Sequence, residues 1–289
     1  TSVTIGDSVA SIGDNAFSYC TRLTEVIYNA RAAENLTYQS EAFKNAGTYS
    51  GSFRVVIGDG VEKIPSYLFY GCTSLASVKI GNSVASIGDR VFYGCTGLAG
   101  VTIGNSVASI GSYAFVDCTS LTSVTIPDSV TSIGEDAFYH CTGLTSMTIG
   151  SGVTSIGDRV FSGCTGLTSV AIPDSVTSIG EFAFSGCSGI KEVYYNAKAA
   201  ADLPNSYHAA FPGVGDSTSG VKVFIGEKVK KIPAYLFAGE HRIRTFKFAG
   251  DPPAAGTEAL RSEYNTTIYA FYPMHNSAWT EEVRRTYGP

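Results

Sequence analysis

Apolar and polar residues alternate along this chain in short bursts. In LTSVTIPDSVTSIGEDAFYHCTG, residues 121 to 143, Val124 and Ile126 fall on one side of an extended backbone and Ser123 and Thr125 on the other. That period of two predicts a half-buried strand. A second alternating piece, Val130 to Ile133, ends at Gly134, where the chain must turn. The following EDAFYHC carries Ala137, Phe138 and Cys141 at helical spacing, which predicts about one turn of helix. Each burst is too short to bury its own apolar side.

The bursts recur at a fixed period. The aromatic of each AF-like pair marks Phe17, Phe43, Phe69, Phe92, Phe115, Phe138, Phe161, Phe184, Phe211 and Phe237, with Leu260 as a further mark, at spacings of 26, 26, five times 23, then 27, 26 and 23. Copies stacked at the strand spacing of about 4.8 Å bring Val, Ile, Leu and Phe into continuous ladders, each buried Phe contributing roughly 2 to 3 kcal/mol. The pattern predicts one solenoid of about eleven coils of 23 to 27 residues over residues 1–272, without a linker or second domain. Two coils are long, 26–69 and 193–237, and both put a proline, Pro65 or Pro233, where the others have glycine. Beyond a last strand, Thr267 to Tyr272, residues 273–289 read as a cap. Its short helix places Trp279, Val283 and Tyr287 on one face and pairs Glu281 with Arg285.

The series L-x-x-V-x-I-P, then V-x-x-I-G-x-x-A-F-x-x-C, resembles the BspA-like class of leucine-rich repeat of bacterial surface proteins and some protist ones, from residue 1 to about 272. The resemblance implies a right-handed, curved solenoid of strands and short helices with a parallel sheet on the concave face. It implies a secreted or surface-displayed protein that adheres to a host extracellular protein or to other bacteria; a surface glycan is a further expected partner, one that the aromatic residues Tyr194 and Phe224 would suit. Periodicity by itself implies only a solenoid, so a stalk presenting other domains is the alternative. A monomer is expected. The chain starts inside the repeat pattern, as if cut from a longer one, and its place is expected to be extracellular or at the bacterial surface.

Composition narrows the partners. A net charge of -5 and a pI near 5.4 argue against an electrostatic grip on nucleic acid or anionic lipid. No apolar run approaches the roughly 18 residues of a membrane span. Charged residues make up only 16 %, against roughly 25 % in an average globular chain, which suits a turn-rich β protein.

Candidate chemistry is thin. SIGEDAFYHC brings Glu135, Asp136, His140 and Cys141 together, but sister coils read SIGDNAFSYC, SIGDRVFYGC and SIGSYAFVDC, so the polar residues change while the frame stays. Seven cysteines are an odd number, and each sits three residues after its Phe, where the long coils have Ala46 and Val214 and a late coil has Glu240. This predicts reduced, buried thiols that behave as small hydrophobes. His140, His208, His241 and His275 lie apart, and nothing resembles a metalloprotease, nucleophile-elbow or phosphate-loop motif. No enzyme activity, cofactor or metal is expected.

The outward residue of V-x-I carries more information. It is Thr102, Thr125 and Thr148 in the middle, but Ile27 and Val56 near the start and Tyr194, Phe224 and Lys247 near the end. Aromatic anchors beside a cation on a rigid concave face predict a ligand-binding patch at Tyr194, Phe224 and Lys247, with the loop from Asn196 to Gly220 at its rim. The alternative is that strands tolerate aromatics and that this loop covers them. Lys222, Lys228, Lys230, Lys231, Arg242 and Arg244, interleaved with Glu227 and Glu240, read as a solvated rim.

Overall fold

The computed structural model describes residues 1–37, 39–216, 220–240, 242–260, 269–281 and 283. It is a parallel β-solenoid with one principal strand per coil. Seven strands pair in sequence order from Ser2–Ile5 to Ser146–Ile149, and Ser169–Ile172 follows alongside to begin a group of five that ends at Tyr269–Phe271. Registers are in step: Ser123, Val124, Thr125 and Ile126 face Ser146, Met147, Thr148 and Ile149. A second ladder of two-residue strands runs from Lys63–Ile64 to Ser178–Ile179 and resumes at Lys231–Ile232 with Ala254–Ala255.

Copies in register put like residues on like residues. Phe43, Phe69, Phe92, Phe115, Phe138, Phe161, Phe184 and Phe211 are fully buried. Their rings stack coil on coil, with Phe115 and Phe138 at 4.9 Å and 2° and Phe138 and Phe161 at 5.4 Å and 11°. Centroid separations in this range are favourable beyond simple area burial.

The one-turn helix expected after the corner glycine does not form. In the segment from Glu135 to Cys141, the amides of Asp136, Phe138 and His140 donate to the carbonyls of Asp158, Val160 and Ser162 in the next coil, at 2.8 to 2.9 Å. Those of Ala137, Tyr139 and Cys141 close tight turns onto Gly134, Asp136 and Phe138. A helix would satisfy its amides internally and leave none for the neighbouring coil. The alternation demands left-handed backbone at Asp136 (φ 53°) and His140 (φ 58°). That demand explains the second slot: it holds Gly71, Gly94, Gly163, Gly186, Gly213 and Gly239 elsewhere, and His140 occupies a position glycine favours.

Gly134 serves closeness rather than turning, because its φ is not positive and a Cβ there would sit 2.7 Å from the Ser112 amide nitrogen of the preceding coil. Pro65 and Pro233 take this corner in the long coils. There the Ser66 amide donates to Asn35 Oδ1 at 3.1 Å and the Ala234 amide to Asp202 Oδ1 at 2.6 Å. Within each long coil the strand register slips, between Phe53 and Arg54 and between Val221 and Lys222. Both long coils also exchange the inward Ile for a tyrosine, Tyr28 or Tyr195. Each is fully buried, and neither hydroxyl has a hydrogen-bond partner among the described residues. Burial pushes both phenols up, Tyr28 to about 12.

Six of the seven thiols are buried and free, and each donates to a Phe carbonyl of the preceding coil, as Cys141 Sγ does to Phe115 at 3.1 Å and Cys164 Sγ to Phe138 at 3.2 Å. Cys20, in the first coil of this sequence, differs from the expectation and is exposed. Burial raises the six thiols, Cys95 to about 12.

At the far end, Trp279 is buried, its indole N–H donates to the Gly250 carbonyl at 2.9 Å, and it stacks on Tyr272 at 5.3 Å. A helical turn begins at Glu281. Arg285 and Tyr287, expected to share its faces, lie outside the described residues.

Candidate binding surface

The constellation in SIGEDAFYHC is dispersed by the fold. Glu135 and Asp136 both bind Arg159 of the next coil, with Asp136 Oδ2 at 2.9 Å from Nη2, and this pairing holds the guanidinium above its ordinary pKa. His140 Nδ1 pairs with Asp117 Oδ1 of the previous coil at 2.7 Å, and Cys141 points into the core. Among the described residues, no three of His, Cys, Asp and Glu gather where they could hold a metal ion. No helix among them is long and apolar enough to cross a membrane.

The sheet brings Tyr194, Phe224 and Lys247 into one outward column, because Tyr194 faces Phe224 and Phe224 faces Lys247 across parallel pairs. The two rings stack at 4.7 Å and 8°. Lys247 Nζ lies 5.4 Å from the Phe224 ring centre and 6.0 Å from that of Phe271, within cation–π range of both. Tyr194 is 38 % exposed, Phe224 is half-buried and Lys247 is exposed.

Two contributors were missed from the sequence. Phe271, 55 % exposed, continues the same column because Lys247 pairs with it in register. Following the outward position one strand further, into TTIYAFY, would have found it. Glu192 accepts a 2.7 Å hydrogen bond from the Tyr194 hydroxyl, which raises that phenol. It opens a second outward column of Glu192, Lys222, Thr245 and Tyr269.

The long loop does not cover these rings with its central part. Asn205–His208 packs on the opposite, turn side of the solenoid, where His208 Nε2 lies 3.6 Å from Glu181 and its ring meets Phe182 edge-on. The charged rim is also less mixed than expected. Glu240 is buried, and its carboxylate accepts from the amides of Gly213, Val214 and Arg242 at 2.6 to 3.2 Å, in the slot where other coils place cysteine. Lys231 pairs with Asp202 at 2.7 Å.

Near the first long coil the same columns hold Glu25 paired with Arg54 at 2.8 Å, beside Ile27 and Val56. That end is therefore charge-paired and aliphatic where the other is aromatic.

A solved leucine-rich repeat protein from Bacteroides ovatus superposes with a TM-score of 0.51 at 22 % identity, over 90 % of this chain and 72 % of that one, which shows the fold. A leucine rich cell surface protein from Faecalibacterium prausnitzii is 26 % identical over 100 % of this chain and 82 % of that one, with a TM-score of 0.44. No curated protein matches the chain. The profile of the BspA type leucine rich repeat region matches residues 1–119, 37–168, 108–244 and 155–271, and the chain belongs to that family.

Proposed function

We propose that this protein is a non-enzymatic binding module of the extracellular space or bacterial cell surface, and that it holds a host or bacterial surface protein or glycan against the sheet face near its C-terminal end. The observation that carries the reading is the column Tyr194, Phe224, Lys247 and Phe271. Stacked rings with partly exposed edges, clamped by an ammonium group, stand on paired strands, those of Tyr194, Phe224 and Lys247 being paired on both sides. Rings held this way lose little freedom on binding, and desolvated aromatics commonly dominate an interface. Membership in a repeat family of surface proteins supports the location.

A stalk is the second reading, favoured by the middle coils, whose outward columns are Ser, Thr and Ala. A screen against immobilised extracellular-matrix proteins and glycans separates the two. A retained partner should lose at least about tenfold in affinity with Tyr194→Ala plus Phe224→Ala and little with Thr102, Thr125 and Thr148 changed to Ala. The reverse sensitivity overturns the site, and retention of nothing favours the stalk.

A further inference from the structure

The two long coils place equivalent side chains on the principal sheet and settle their charges differently. At the first, Glu25 faces Arg54 in register and pairs with it at 2.8 Å, Ala76 fills the position where the register slips, and Lys79 faces Val56. The second puts Glu192 opposite Lys222, Arg244 at the slip and Lys247 opposite Phe224. No ion pair joins these two strands among the described residues. Glu192 Oε2 instead accepts from the Tyr194 hydroxyl at 2.7 Å, and Lys222, Arg244 and Lys247 are all exposed without a carboxylate partner among the described residues. Arg244 crosses the chain at Gly220, where an added Cβ would strike its Cγ, so this glycine keeps the path of the arginine clear. On a chain of net charge -5, three unpaired cations thus gather around one acid.

The rings reinforce that sign. An aromatic ring is electronegative on its faces and electropositive around its edge. Phe224 has Tyr194 stacked on one side and the Lys247 ammonium on the other, and Lys247 also covers Phe271. The column therefore turns ring edges and an ammonium group outward, and both attract carboxylate oxygens. A pyranose stacks its C–H groups on a ring face, and the faces of Phe224 are taken.

Resting on the sheet-face reading above, we propose that this surface receives an acidic segment of a partner protein. The segment's carboxylates meet Lys222, Arg244 and Lys247, and its apolar side chains lie along the exposed parts of Phe271 and Tyr269. Glu192 selects among anions: a uniform polyanion such as a sulfated glycan sets charge against charge there, whereas a peptide turns a backbone N–H or a hydroxyl to it. The first long coil, with its acid already paired to Arg54 and Ala76 in place of the arginine, lacks this selectivity.

A random-peptide library displayed on phage and selected on the immobilised whole chain tests the proposal. Retained peptides should be enriched in Asp and Glu beside apolar residues and should release as salt rises. Lys222→Gln with Arg244→Gln, which leaves the ring column intact, should weaken them at least about tenfold, and Glu192→Gln should tighten them at least about twofold. Heparin, the sulfated-glycan probe, should not displace them. Retention of no peptide, retention of neutral or basic peptides only, affinity unchanged by either charge change, or displacement by heparin overturns the inference. Among those failures, loss of retention with Tyr194→Ala plus Phe224→Ala leaves the binding surface standing without the acidic class, while insensitivity to the ring pair and the cation pair alike removes the surface itself.

Discussion

The regular coils between Leu75 and Gly189 and the two long coils that flank them solve the same stacking problem in different ways. In the regular block a glycine lets each corner lie on the one before, an inward Ile and a Phe fill the core, and a thiol tethers itself to the previous coil. Each long coil puts proline at that corner, substitutes a buried tyrosine for the Ile, and slips the strand register. Identity between neighbours permits the closest backbone packing and leaves a bland outer face on the principal sheet, where Ser123 and Thr125 face Ser146 and Thr148. Lengthening a coil gives up some of that packing, and large outward residues appear beside it.

The contrast should be sharpest at alkaline pH, because five of the six buried thiols belong to the regular block while Ala46 and Val214 hold that slot in the long coils. A thiol whose folded pKa is raised favours its neutral form in the native state. Its contribution is therefore complete below the unfolded value of about 9 and is lost as pH rises through the raised values. With up to about 1.4 kcal/mol per pH unit from each thiol, urea stability should fall steeply above that point. Changing Cys95, Cys118, Cys141 and Cys164 to Ala should flatten the fall, and a profile unaffected by those changes would break the contrast.

Phe138→Ala, in the middle of the ladder, should cost roughly 3 to 5 kcal/mol, because its neighbours cannot collapse into the cavity. An unchanged melting temperature would show that the stacked ring contributes nothing. A smaller effect separates the corners: Gly134→Ala should cost about 1 to 3 kcal/mol by forcing a Cβ onto the Ser112 amide, whereas Pro65→Ala should cost no more than about 1 kcal/mol. Equal losses in thermal unfolding would mean that the two corners pack alike. Smallest is Tyr195→Phe, expected to lie between no change and a gain of about 1 kcal/mol, since it removes a buried hydroxyl that has no partner among the described residues. A clear loss in urea unfolding would reveal a partner for that group.

Much of the fold was legible because a period of 23 residues leaves few ways to bury Val, Ile and Phe together. The false helix has a definite cause. Ala137, Phe138 and Cys141 are all buried, and the same spacing suits a turn run whose alternate amides reach the next coil; sequence periodicity records which residues are buried, not where their amides point. Cys20 and Glu240 show the same limit, since Cys20 is exposed and Glu240 receives backbone amides in a slot that elsewhere holds a buried thiol. On the sheet face, counting outward positions brought Tyr194, Phe224 and Lys247 together, while Phe271 was overlooked because its strand lies beyond the last clear repeat.

The most direct test of the central claim, that binding is concentrated where the second long coil disturbs the array, is hydroxyl-radical oxidation of the free protein and of its complex with a partner retained in the screen. Protection of Tyr194, Phe224 and Phe271, with Tyr28 and the ladder Phe residues unreactive in both states, is the predicted result. Undiminished oxidation of those three residues in the complex, with protection elsewhere on the sheet, would contradict it.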